Sequence, residues 1–164
     1  MKKFVALLLA VLMVASLCAC GQKDTGSDLQ TVTKGKLIMS TNAEFAPYEY
    51  VADDGKGFQG TGYEGIDIEI AYALAQKLGL ELVVDNMDFD AALSAVQTGK
   101  SDMVAAGVTV TPDRLNAMSF TDSYANGVQV VIVKEGSDIK SIDDLQGKKI
   151  GTQRGTTGYI YCSD

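Results

Sequence analysis

The chain contains no histidine and no tryptophan, and it has two prolines and three cysteines in 164 residues. Without histidine there is no Ser-His-Asp triad, no Cys-His dyad and no His-bearing zinc or iron site, so hydrolytic and redox chemistry lose their usual proton shuttle. An enzyme built on this chain would have to work with carboxylates, Lys, Tyr or Ser. Basic charge is also in short supply: Lys+Arg number 14 against 21 Asp+Glu, a formal net charge of −7. No basic block is present, which argues against a nucleic-acid partner, since phosphates demand clustered Lys and Arg. Length alone fits one domain.

What is present begins with a leader. Met1-Lys2-Lys3 precedes an apolar run from Phe4 to Leu17, followed by Cys18-Ala19-Cys20-Gly21. This is the order of a charged start, a short apolar stretch and a small-residue processing site, and the run is short of the roughly 20 apolar residues that span a bilayer. Leu17-Cys18-Ala19-Cys20 looks like a bacterial lipobox, with Cys20 after small Ala19 as the lipidated residue. The alternative is an ordinary secretory signal that leaves Cys20 as a free thiol. Residues 1–19 carry two Lys and no acid, so the remaining 145 residues hold a charge of −9. Lipidation would leave Cys162 as the sole other mature cysteine, which gives no internal disulfide framework. Residues 20–35 are polar and read as a flexible tether.

From Lys36 onward, strand and helix signals alternate. Leu37 to Ser40 reads as a buried strand, and Tyr48 to Val51 with Asp53-Asp54-Gly55 beyond it reads as a hairpin. Ile66, Ile70, Leu74 and Leu78 recur every four residues before Gly79, which predicts an amphipathic helix over 64–78. Leu80 to Val84 is the next strand. Asp88 offers an N-cap to a helix carrying Phe89, Ala92, Leu93 and Val96, and Met103 to Ala106 is another strand. Thr111-Pro112-Asp113-Arg114 opens a helix with a capping hydroxyl and Pro at its first position. Gly127 to Val133 and Lys149 to Thr152 are predicted strands, Ser141 to Leu145 a capping-box helix with Asp144 in place of Glu, and Gly155 to Gly158 leads into a last helix. This order predicts an α/β fold with a mainly parallel sheet.

Residues 36–125 suffice for one layered lobe. The 39 residues from 126 to 164 fall below the ~40 at which a chain without disulfides or metal usually folds alone, so they are expected to be a hinge and the start of a second lobe belonging to a longer protein.

In open α/β sheets, ligands sit at the carboxyl ends of the strands. Three segments occupy that position: residues 41–48, 107–114 and 153–157. Arg114 lies near a helix start, where a cation opposes the helix dipole. A ligand carboxylate would resolve that conflict through a bidentate pair; an exposed Arg bridging to Asp113 or Asp122 would do so equally. Gly155-Thr156-Thr157 is a second candidate anion site, or a plain N-capped helix. Gly55-Lys56-Gly57-Phe58-Gln59-Gly60 matches the dinucleotide pattern GxGxxG, but Thr61 to Gly65 separate it from the helix it would have to open, so it reads as a hairpin loop. Asp85, Asp88 and Asp90 lack calcium-loop spacing and read as a loop charge, a cap and a solvated face. Neither a metal nor a cofactor is expected.

Together these segments resemble extracellular solute-binding protein family 3, the polar amino-acid receptors of ABC importers. The matching stretches are Thr41-Asn42-Ala43-Glu44-Phe45-Ala46-Pro47-Tyr48-Glu49, Gly65-Ile66-Asp67-Ile68-Glu69, Asp88 to Leu93, Ala106 to Arg114, Ser119-Phe120-Thr121-Asp122 and Gly155 to Gly158. The resemblance implies a periplasmic-binding-protein-like fold of two lobes that close on a free amino acid, with the first lobe complete here and the second partly present. It implies that Arg114 grips the α-carboxylate with the Thr109 side chain and the N–H of Thr157, that the Gly107 carbonyl meets the α-ammonium, and that Phe45 and Phe89 sandwich the ligand side chain. Asn42 and Gly155 would line the pocket, with Gln153 a further contact. Relatives that take basic amino acids often carry an acid at the position of Asn42, so Asn42 disfavours a cationic ligand, although Glu44 lies nearby. The acid completing the ammonium site would lie beyond Asp164. The implied protein is a non-enzymatic monomer, exported and lipid-anchored at Cys20 to the outer face of the cell membrane or on the periplasmic side, whose partner is a membrane permease. The alternatives are a cyclohexadienyl-dehydratase-like enzyme, for which Glu44 is the one candidate general acid, and a ligand-sensing module on the same fold.

Overall fold

A computed structural model of the chain describes residues 29–163. The leader, Cys20 and most of the tether lie outside the described residues. Six strands and four helices follow in order: β1 (Lys36–Thr41), β2 (Glu44–Phe45), β3 (Glu49–Val51), β4 (Tyr63–Glu64), α1 (Ile66–Leu78), β5 (Glu81–Asn86), α2 (Phe89–Gln97), β6 (Met103–Val104), α3 (Pro112–Leu115) and α4 (Thr157–Ser163). Single 3-10 turns cover Phe58–Gly60 and Ile142–Leu145. The architecture is α/β: one lobe with part of a second.

β1 is the centre of a parallel sheet of order β5-β1-β6. It pairs with β5 from Lys36↔Glu81 to Thr41↔Asn86 and with β6 at Met39↔Met103 and Ser40↔Val104. Its alternation sends neighbouring side chains to opposite faces. Met39, fully buried, meets Ile68 and Ala71 of α1, while Ser40 donates from Oγ to the Ala92 carbonyl of α2 at 3.0 Å. The helices therefore cover opposite faces. Right-handed crossovers require this, because the chain moves outward from β1 to β5 and then back across the sheet to β6. Asp102 secures the start of β1 by accepting the N–H groups of Val32 and Ile38, both at 2.7 Å.

A second, antiparallel sheet of order β2-β3-β4 is inserted between β1 and α1. The predicted hairpin is thus three-stranded, and the GxGxxG stretch falls in the loop between β3 and β4, as read from the sequence. The hairpin is pinned to α1 at Gly65, which has φ +121 and whose Cβ, were there one, would collide with the Tyr48 carbonyl. The freed first-turn N–H groups of Ile66 and Asp67 donate to the carbonyls of Pro47 and Tyr48 at 3.1 and 2.9 Å, which satisfies donors that a helix start otherwise leaves open.

Several expectations need correction. Along α1 the buried residues are Asp67, Ile68, Ala71 and Ala75, whereas Ile66, Ile70 and Leu74 of the four-residue apolar row are 43%, 41% and 39% exposed. Two alanines let the helix approach the sheet closely, and the larger side chains flank that contact. Asp88 holds the N-cap position of α2 but makes no side-chain capping bond. Residues 127–133 and 149–152 form no strand; a strand needs a neighbour to take its N–H and C=O groups, and among the described residues none pairs with them. Val128 and Ile132 are accordingly 83% and 91% exposed. The Ser141–Asp144 capping box forms as expected, around a 3-10 turn.

Ile68 at 0% exposure is the keystone between α1 and the sheet. Ile68→Ala is expected to cost about 2–5 kcal/mol, and Ile70→Ala on the same helix about 1 kcal/mol or less, both read by urea unfolding; equal costs would contradict the burial pattern.

Candidate functional site

The carboxyl edge of the parallel sheet gathers the loops after β1, β5 and β6. Arg114 lies at their centre. Its Nη1 donates to the Thr109 carbonyl at 2.7 Å and its Nη2 to the Gly155 carbonyl at 2.9 Å, and its guanidinium carbon lies 5.5 Å from the centre of the Phe89 ring. Cation and ring face are thus in attractive range. Phe89 is the first residue of α2 and is buried, so it is a fixed floor under the guanidinium. Burial pulls the Arg114 guanidinium below its ordinary value and nearby Asp90 raises it; an arginine remains a cation under both influences.

No ion pair joins Arg114 to Asp113 or Asp122; among the described residues the one ion pair is Lys36–Glu81, at 3.5 Å. The helix-dipole argument also weakens, because α3 has only four residues and one turn sums few peptide dipoles. What fixes Arg114 is its backbone: Thr111 Oγ1 caps α3 by accepting the Arg114 N–H at 3.3 Å. Thr109 meets Arg114 through its carbonyl.

The other expected residues fall into two further groups. Phe45, 50% exposed, stacks on Tyr48 with ring centres 5.3 Å apart and covers Gly107, where a Cβ would stand 2.9 Å from the Phe45 ring. Gly107 also has φ +54, so a side chain there would be strained twice over. Asn42 donates to the Met87 carbonyl at 3.0 Å and accepts from Gln153 Nε2 at 2.8 Å, a contact that joins the loop after β1 to the late segment containing Gly155. A Cβ on Gly155 would collide with the Asp90 carboxylate. Thr157 begins α4 half-buried, and the Thr156 hydroxyl accepts the Tyr159 N–H at 3.3 Å, the plain N-cap arrangement.

Sequence reasoning missed four residues. Asp90, read as a solvated charge, stands beside Arg114 and Gly155. Asp67 and Glu49 are each 1% exposed. Asp67 accepts the Gly107 N–H at Oδ2 (2.8 Å) and the Tyr124 hydroxyl at Oδ1 (2.7 Å). Burial, then the charge of Asp67 and a hydrogen bond to it, push the Glu49 carboxyl up to about 9. Burial and the Asp67 hydrogen bond hold the Tyr124 phenol far above its ordinary value. A signal for Asp67 was available: it lies four and eight residues before Ala71 and Ala75, on the helix face that meets the sheet.

The profile of the bacterial extracellular solute-binding proteins, family 3, matches residues 37–157. The chain belongs to that family. It is 38% identical over 156 residues to the arginine-binding extracellular protein of Bacillus subtilis, covering 95% of this chain and 57% of that protein. It is 36% identical over 160 residues to a probable histidine-binding protein of Neisseria gonorrhoeae, covering 96% and 57%. Among solved structures, an ancestral arginine-binding protein bound to arginine superposes with a TM-score of 0.72 at 40% identity, over 79% of this chain and 55% of that one. The chain thus spans little more than half the length of the relatives it matches.

Gly107→Ala is expected to displace the Phe45 ring and to destabilise the chain by roughly 1 kcal/mol or more. The check is the Phe45 ring resonances together with urea unfolding; unchanged ring shifts would contradict the packing described.

Proposed function

We propose that this protein is an extracellular receptor for a polar L-amino acid, lipid-anchored at Cys20 on the outer face of the cell membrane, or on the periplasmic side, and delivering its ligand as a monomer to the permease of an ABC importer. Residues 1–19 are the cleaved leader, 20–35 the tether, 36–125 the ligand-binding lobe, and 126–164 the hinge and the opening of the second lobe. The observation that carries the reading is Arg114: a cation held at the carboxyl edge of the sheet, over a buried aromatic floor, its fork occupied by two backbone carbonyls and by no carboxylate. Replacing the carbonyls with a ligand carboxylate exchanges neutral acceptors for a charged one that the planar fork can meet with two parallel hydrogen bonds.

The remaining roles follow from position. Thr109 and the N–H of Thr157 complete the carboxylate grip, and the Gly107 carbonyl meets the ammonium. Phe45 and Phe89 take the two sides of the ligand's side chain, and Asn42 and Gly155 line its far end. Arginine and histidine, named for the two curated relatives, are the first ligands to test. An amino acid has on the order of ten heavy atoms, so micromolar affinity, about −8.2 kcal/mol, uses over half of a ceiling of about 1.5 kcal/mol per atom. Such economy needs near-complete enclosure, which a two-lobe closure provides, and closure also gives a transporter two states to distinguish. That the curated relatives are binding proteins supports a non-enzymatic role.

The test is titration calorimetry on the protein carried through to the length of its relatives, with a panel of L-amino acids. Arg114→Ala is expected to weaken the best ligand by on the order of 10–100-fold, the value of charge-assisted hydrogen bonds at about 1.5–3 kcal/mol; unchanged affinity would overturn the role of Arg114.

A further inference from the structure

Glu49 and Asp67 are two fully buried carboxyl groups, brought to one place by the Asp67 N–H, which donates at 2.9 Å to the carbonyl of Tyr48, the residue before Glu49, and linked by a side-chain hydrogen bond. Among the described residues neither enters an ion pair. Both Asp67 oxygens accept from donors, the Gly107 N–H and the Tyr124 hydroxyl, so Asp67 is provided for as an anion. Glu49 is not: its buried Oε2 has no donor to accept from. Two desolvated carboxylates in contact repel strongly, and the arrangement that removes the repulsion leaves one proton between them.

We propose that Glu49 and Asp67 share a single proton and act as a positioning pair, with Glu49 as the neutral acid donating to the Asp67 carboxylate, which in turn holds the Gly107 loop and Tyr124 in place. The consequence for ligand capture rests on the role proposed above for Gly107; the proton-sharing itself does not. The pair ties four separate segments together: β3 through Glu49, α1 through Asp67, the loop after β6 through Gly107, and the chain after α3 through Tyr124. The groups facing Glu49 are Asp67 and Tyr124, with Tyr48 beside them; all are acids in their own right, so none can neutralise a second negative charge.

The pH dependence follows in sign. Glu49 holds its proton in the folded chain up to about pH 9, whereas an unfolded Glu loses it near 4.5. Between those values the folded state binds more protons than the unfolded one, so stability falls as pH rises through the window and levels off above it.

Carbon-13 NMR of the side-chain carboxyls in the ligand-free full chain tests this apart from any amino-acid binding. The Glu49 carboxyl is expected to remain in the acid form through neutrality and titrate near pH 9, with the Gly107 amide and the Tyr124 ring shifting at the same midpoint. In Glu49→Gln, whose amide can still donate to Asp67 but does not titrate, the spectrum at pH 7 is preserved and the alkaline step is lost. In Asp67→Asn the midpoint of Glu49 falls, while burial still holds it above the ordinary carboxylate range. A Glu49 carboxyl that titrates in the ordinary carboxylate range, a Gly107 amide that ignores the step, or an alkaline step that survives in Glu49→Gln would overturn the proposal. The wild-type titration decides the matter even if a variant does not fold.

Discussion

The contact on which most of the architecture depends is the acceptance by Asp67 of the Gly107 N–H. A buried carboxylate in the first turn of α1 reaches across to the loop leaving β6, and so fixes the one loop that must turn through a positive φ beneath the Phe45 ring. The same helix turn donates its N–H groups of Ile66 and Asp67 to the carbonyls of Pro47 and Tyr48, which anchors the inserted hairpin. Two of the three loops at the carboxyl edge of the sheet are therefore referenced to one helix start. The segment at Gly155 is referenced in turn to Arg114, whose two carbonyl contacts bind it to the loop after β6.

The proposed receptor role draws on the groups at the sheet edge. The groups gathered around Arg114 are backbone carbonyls, neutral amides and the Asp90 carboxylate. Glu49, whose carboxyl burial and neighbouring Asp67 push up to about 9, is buried with Asp67 behind the Gly107 loop, where on the proposal above the two act on position. The missing histidine matches such a division of labour, in which recognition is left to groups whose charge does not change near neutrality.

Much of the fold was legible in the sequence because it rests on local chemistry. Gly79 ended α1, Thr111-Pro112 opened α3, and Ser141 with Asp144 formed its capping box. The parallel sheet followed from the alternation of elements, and the glycine loop was rejected as a nucleotide site on adjacency alone. Arg114 and Gly155 were selected by their place after predicted strands and Phe89 by the family resemblance, and the structure brings those three together. What could not be read depends on long-range partners. Residues 127–133 have every strand propensity and, among the described residues, no strand beside them. Glu49 and Tyr124 look like ordinary surface residues until folding brings them to Asp67 across separations of 18 and 57 positions. The apolar row of α1 misled because burial was decided by how close two alanines allow the helix to come, and periodicity does not report that distance.

The central claim is that Arg114 exchanges backbone carbonyls for a ligand carboxylate. Nitrogen-15 NMR of the Arg114 side chain in the protein carried through to the length of its relatives, with L-arginine or L-histidine added and then the corresponding methyl ester, tests it directly. The account predicts that the free amino acid shifts the guanidinium resonances and releases the contact to the Gly155 carbonyl, while the ester, which lacks the carboxylate, does neither. Equal shifts with acid and ester, or a bound amino acid that leaves the Arg114 resonances in place, would contradict it.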